Sequence, residues 1–228
     1  WVDVVRHDSH RLDNEADKLN LSLHRARNVA HSLKRVAGTP MTVGFFGISQ
    51  AGKSYLISAL AAGGNGALEG CYGEHKVDFI KEVNPVGGGK EATGLVTRFT
   101  RAKTAAPVNY PVPLQLFSEI DLAKILANTW FNDFNHELLS YQLDEARIEA
   151  WLQPFEHRLI NPVANNGVSR DDVVALWDYL NGSFRKSVEK LEHGYWPRVL
   201  QLAPTLTPTE RADVVSLLKG EQGGVSDI

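Results

Sequence analysis

Residues Gly47-Ile48-Ser49-Gln50-Ala51-Gly52-Lys53-Ser54 fit the pattern G-x-x-x-x-G-K-[ST] at every fixed position. The chemistry served by this spacing is capture of a polyphosphate. Gly47 lets the chain leave an extended segment through torsions closed to other residues. Gly52 lets main-chain N–H groups approach phosphate oxygens. Those from Gln50, Ala51, Gly52, Lys53 and Ser54 form the expected cradle, with Tyr55 next on the helix whose positive end faces the same point. Lys53 supplies a point charge for the β and γ phosphates, and the Ser54 hydroxyl is placed to ligate Mg²⁺. The expected ligands are Mg²⁺ and GTP or ATP. Lys53 would stabilise charge during a phosphoryl transfer to water.

A γ-phosphate commonly orders a second, mobile segment through a threonine. Thr93 and Thr97 both follow the glycine-rich run "NPVGGGKEAT". Pattern alone also allows Thr97 to be an outward-facing strand threonine. Lys90 and Arg98 either face phosphates or are solvated charges, and Asp78 reads as a loop or strand-edge acid rather than a metal ligand. Gln50 is the one side chain in the loop that could orient a water. His136-Glu137 has no second histidine at the spacing a zinc protease requires, so metal-hydrolase chemistry is discarded.

Positioning such a loop takes a strand before it and a helix after it. "MTVGFFG", 41–47, reads as a buried strand, and a helix is predicted over about 53–62. Further strands are predicted over 76–83, 94–101 and 112–118, with glycine-rich loops at 63–75 and 84–93. Before the loop, residues 8–37 read as one helix capped by Asp8 or Ser9. Its Leu12, Ala16, Leu19, Leu23, Ala26, Ala30, Leu33 and Ala37 keep an unbroken 4-3 spacing. That seam packs either on another helix of the same protein or on a helix of a second molecule. After Ser118 the pattern turns helical: 119–128, 129–141, 144–153, 169–180, 183–193 and 208–219. Prolines stand at several of the breaks, and Ser169 and Thr207-Pro208 make good helix starts. The aromatics of this region (Trp130, Phe131, Phe134, Trp151, Phe155, Trp177 and Trp196) read as core. The expected organisation is an N-terminal helix over 1–39, half of an NTPase core over 40–118, and a helical lobe over 119–228.

Composition is that of an ordinary globular chain, 43% hydrophobic and 22% charged over 228 residues. A net charge of −3 offers no reason to expect nucleic acid. The lone Cys71 rules out an intramolecular disulfide. No apolar run reaches the ~20 residues of a membrane span, and membrane association is left as an open expectation. The chain starts at Trp1, its only methionine is Met41, and "GEQGGVSDI" reads as loop, so a piece of a longer protein is expected.

"GLVTRFT" followed by "VPLQLF" is similar to the switch I region and next strand of dynamin-type G domains. "GFFGISQAGKSYLISALA" with "NPVGGGKEATGLVTRFT" more closely resembles the N-terminal region of the SrfC-like family of bacterial virulence factors. The dynamin resemblance implies GTP rather than ATP, a helical stalk around the core, and Thr97 as a second Mg²⁺ ligand. The virulence-factor resemblance implies a bacterial cytoplasmic protein or an exported effector. Neither Asp-x-x-Gly after an apolar strand nor a guanine-reading Asn/Thr-Lys-x-Asp is present. The expected fold class is therefore α/β: a P-loop NTPase core fragment of dynamin-like kind, with a long N-terminal helix and a large α-helical insertion. The expected function is GTP hydrolysis with Mg²⁺. The rivals are a nucleotide-dependent scaffold with little turnover and a helical interaction protein whose loop has lost its ligand.

Overall fold

A computed structural model describes residues 2–47, 51–64, 66–85, 96–102, 107, 109–110, 112–133, 144–160, 162–163, 165 and 167–216. The chain divides into two compact units, one built from 1–38 with 117–228 and the other from 39–116.

The first unit is helical. Its centre is α7, Arg170–Val188, following α1 (Val2–Val5), α2 (His10–Ala37), α4 (Glu119–Asp133), α5 (Glu145–Leu152) and α6 (His157–Ile160) in the unit's chain order. Short α8 (Leu191–Gly194), α9 (Trp196–Leu202) and α10 (Pro208–Ser216) complete it. Helix α7 starts where the sequence places a start. The Ser169 hydroxyl accepts from Asp172 N, and the Asp172 carboxylate accepts from Ser169 N at 2.8 Å, closing a capping box. Val173, Val174, Leu176, Trp177 and Leu180 are buried at helical spacing. Gly182-Ser183 then weakens the hydrogen-bond ladder, and Phe184 takes φ −135°. The break expected between helices over 169–180 and 183–193 thus corresponds to this kink, at which two helices meet inside Arg170–Val188. Phe184 still reaches α4, with its ring 4.9 Å from that of Phe131.

Helix α10 also begins with a capping box. Thr207 N donates to Glu210 at 2.8 Å, and Arg158 on α6 donates to the other carboxylate oxygen at 2.7 Å. These bonds, that from the Thr207 backbone first and Arg158 second, pull the Glu210 carboxyl from its ordinary 4.5 down to about 2. A folded value below the unfolded one means that the carboxylate stabilises the fold above about pH 4.5. That contribution fades as the pH falls toward 2. In thermal melts from about pH 6 to about pH 2.5, the Tm gap between wild type and Glu210→Gln is expected to close below about pH 4.5. A gap constant across that range would remove this assignment.

The second unit holds α3, Lys53–Ala61, and a hairpin of β1 (Glu69–Tyr72) and β2 (His75–Asp78), antiparallel with Glu69 opposite Asp78 and Tyr72 opposite His75. Gly73 at φ +62° makes the tight turn between them. A π-helical turn, Phe79–Val83, follows directly. The expected strand over 76–83 is therefore only half a strand, and β1 lies in what reads as glycine-rich loop.

The fold expectation is corrected here. Among the described residues 66% are helical, the sheet is this two-stranded antiparallel hairpin, and no P-loop NTPase core with a parallel sheet is seen. Residues 41–47, 96–100 and 112–117 form neither strand nor helix. The physical reason is a lack of cover. A parallel strand is buried on both faces by crossover helices, whereas Met41, Val43, Phe46 and Val96 are 77% or more exposed. Similarity to a dynamin-type G domain has no support in this architecture.

Candidate functional site

Gly47 and residues 51–54 are the place where sequence chemistry and geometry coincide. Gly52 is the N-cap of α3 with φ +80° and ψ 13°, a left-handed conformation that glycine takes without a Cβ penalty. Gly52 itself carries no side chain that could cap the helix. The Lys53 ammonium folds back and donates to the Gly47 carbonyl at 2.8 Å. That bond draws the two ends of the loop together: a Cβ on Gly47 would lie 3.7 Å from Lys53 Cδ and 3.8 Å from Ala51 Cβ. Ser54 is held as well, its hydroxyl oxygen accepting from the Asn84 amide at 2.6 Å.

Asn84 has its own support. It closes the π-helical turn, donating its backbone N–H to the Phe79 carbonyl at 2.8 Å. Asp78 opens the same turn, accepting from Ile80 N at 3.0 Å and Lys81 N at 3.1 Å. These bonds, the one from Lys81 N foremost, hold its carboxyl below the ordinary carboxylate value. Asp78 is thus a cap, as its strand-edge reading anticipates. Phe79, 6% exposed, packs edge-on against Phe99 with ring centroids 4.9 Å apart. One short turn therefore ties the Ser54 hydroxyl to the segment that carries Thr97.

The structure brings together Gly47, Ala51, Gly52, Lys53 and Ser54. Tyr55 follows on α3 and is 76% exposed. Thr97 and Arg98 are exposed, and no hydrogen bond joins Thr97 to Ser54 among the described residues. Gln50, Lys90 and Thr93 lie outside the described residues, as does His136-Glu137. Asn84 is the residue that sequence reasoning missed. Its only signal is its place before Pro85 at the end of a strand-like run, and nothing in that pattern pairs it with a serine 30 positions earlier.

Chemically, the arrangement offers one ammonium group at a helix start, together with a serine oxygen held by the Asn84 amide. An amide donor uses one lone pair of that oxygen and leaves the second for a cation. Among the described residues no group of three or more His, Cys, Asp or Glu is placed to hold a metal ion. Mg²⁺ fits such a site, because it is commonly held by one or two protein oxygens, substrate phosphates and water. The helical unit offers less. Its cavity beside Ile120, Ala123, Leu176 and Val199 measures about 40 Å³, the space of one or two water molecules.

A family model described as "Putative bacterial virulence factor" matches residues 1–228. The chain belongs to that family. No curated protein and no solved structure matches it. Membership agrees with the resemblance seen in the 44–61 and 84–100 stretches, and associates the protein with bacterial virulence without defining a reaction. No described helix is long and apolar enough to cross a membrane.

Proposed function

We propose that this virulence-family protein binds the phosphate tail of a Mg²⁺–nucleoside triphosphate at residues 47–54, and that the nucleotide acts on it as a conformational ligand rather than as a rapidly turned-over substrate. The observation that carries this reading is the closed loop: Lys53 Nζ on the Gly47 carbonyl at 2.8 Å, across a left-handed Gly52 at a helix start. A bound phosphate would compete with the Gly47 carbonyl for the ammonium and take the carbonyl's place as its acceptor. Ser54 would hold Mg²⁺, and movement of Ser54 would pass through Asn84 to the turn that carries Phe79 and, by ring contact, Phe99. The route from phosphate to the 96–100 segment is thus built from named contacts. That route is what favours a conformational role over turnover.

The test is a fluorescence titration of the 228-residue chain with labelled ATP and GTP, with and without Mg²⁺, alongside inorganic triphosphate. Wild type is expected to bind all three. A charge-assisted hydrogen bond contributes roughly 1.5–3 kcal/mol, so Lys53→Ala is expected to weaken binding about 10- to 100-fold with unchanged helicity. Ser54→Ala is expected to lose the Mg²⁺ dependence and keep the metal-free affinity. Equal affinities for wild type and Lys53→Ala would end the proposal. Rapid phosphate release by wild type would replace the conformational role with an enzymatic one.

A further inference from the structure

Helix α2 is docked by its polar side. Arg25 grips Asp178 of α7 at 2.6 and 3.0 Å. His24 bonds Asp171 at 2.6 Å, Arg27 lies 3.2 Å from the other oxygen of that carboxylate, and Asn28 donates to the Asp171 carbonyl at 2.8 Å. Leu21 packs against the core from the same side. The apolar seam faces away from these contacts. Leu12, Leu19, Leu23 and Leu33 are 38%, 41%, 47% and 63% exposed, Val29 and Val36 beside them 59% and 67%, and Ala26 and Ala30 are exposed too. Over most of its length the seam is thus exposed among the described residues. Ala16, 2% exposed, is the exception; near it Arg6 bonds Asp13 and Asp17, both at 3.0 Å.

We infer that this face binds a second copy of the chain, α2 against α2 in antiparallel order. Two features select that occupant. The first is side-chain volume. When two such helices run antiparallel with facing residue numbers summing to about 49, Leu19 lies opposite the partner's Ala30, and Leu23 opposite the partner's Ala26. The symmetry-related layers repeat the same pairs. Each layer then holds one leucine and one alanine, which fills space evenly at close interaxial distance. Parallel order would set leucine on leucine and alanine on alanine, with voids in the two adjacent layers of Ala26 and Ala30. The second feature is charge. Residues 24–37 carry Arg25, Arg27, Lys34 and Arg35 and no acid, while residues 10–23 carry Asp13, Glu15 and Asp17 against Arg11 and Lys18. Antiparallel order places each basic half beside an acidic half, with Lys34 at the level of the partner's Asp13 and Arg27 near the partner's Asn20. Parallel order stacks the cations on one another. The inference rests on α2 alone and is independent of the phosphate loop.

The experiment is sedimentation of the 228-residue chain over a dilution series, with cross-linking for orientation. Wild type is expected to sediment as a dimer, and Leu23→Glu with Ala26→Glu as a monomer of unchanged helicity, since both residues are exposed in the fold. In a Cys71→Ser background, oxidised Leu19→Cys/Ala30→Cys is expected to give a covalent dimer, and Leu33→Cys alone is not. The inference is overturned by a monomeric wild type, by a dimer that survives both glutamates, or by a dimer cross-linked through Leu33→Cys alone.

Discussion

Glu119→Ala is expected to destabilise the helical unit by about 3–5 kcal/mol, and Arg211→Met by clearly less, read from denaturation midpoints at neutral pH. Arg211 on α10 is 4% exposed, yet it is a cation. Its Nε and Nη2 donate to the two carboxylate oxygens of Glu119, both at 2.6 Å, and its Nη1 donates to the Leu206 carbonyl. The pair joins the first residue of α4 to α10. Its two members are not equivalent, because the Glu119 side chain is 41% exposed and that of Arg211 only 5%. Removing the arginine leaves a carboxylate that water can still reach. Removing the glutamate strands a guanidinium away from water, and that desolvation dominates. Gly167 closes over the pair at φ +130°, and a Cβ there would sit 2.7 Å from Arg211 Nη2 and 2.9 Å from Glu119 Oε1. A larger loss for Arg211→Met than for Glu119→Ala would show that the contact matters as packing and not as charge.

Starts of helices were legible and strands were not, for a physical reason. A helix start is local: Ser169 with Asp172 and Thr207 with Glu210 close their own boxes within one turn. The heptad helix is observed as His10–Ala37 with Ser9 at its cap position, although the serine side chain makes no capping bond. A strand is defined by a partner elsewhere in the chain, and the apolar run 41–47 says nothing about whether one exists. Tertiary bonds also rescue weak helix formers. Asn128, read as the edge of a break, instead donates to the Lys124 carbonyl at 3.0 Å and to the Tyr179 hydroxyl, inside the continuous helix Glu119–Asp133.

The same distinction divides the candidate site. Gly52, Lys53 and Ser54 were legible because the geometry they need is local: one left-handed residue and a helix start. Asn84 was not, since its role depends on a π-helical turn that no periodicity marks. The polarity of α2 escaped the sequence as well. An apolar stripe reads as the inward face, but Asp171 and Asp178 on α7 bind the polar side of α2 and turn the stripe outward.

Trp196→Ala is expected to cost about 3–5 kcal/mol, and Trp196→Phe only about 1 kcal/mol. The indole is 0% exposed. It stacks on Trp177 at 5.8 Å with 10° between planes and meets Tyr195 edge-on at 4.9 Å. Truncation to alanine empties the space that Trp177, Val199 and Leu202 enclose, and a packed core relaxes only partly into such a void. Phenylalanine keeps most of the ring contact. It also removes a liability: Trp196 Nε1 is buried and donates to no described acceptor, whereas Trp177 Nε1 has Glu192 at 3.0 Å. An orphaned donor costs about 1–3 kcal/mol, which offsets much of the area that phenylalanine gives up. Tyr195 carries the effect to α10, since its hydroxyl donates to the Val214 carbonyl at 3.0 Å. Denaturation midpoints rank the variants, and near-ultraviolet circular dichroism reports how far the surroundings of Trp177 stay ordered in each. Equal losses for alanine and phenylalanine would mean that the indole N–H is satisfied in the folded protein, and the stability of α9 would then rest on that bond rather than on ring area.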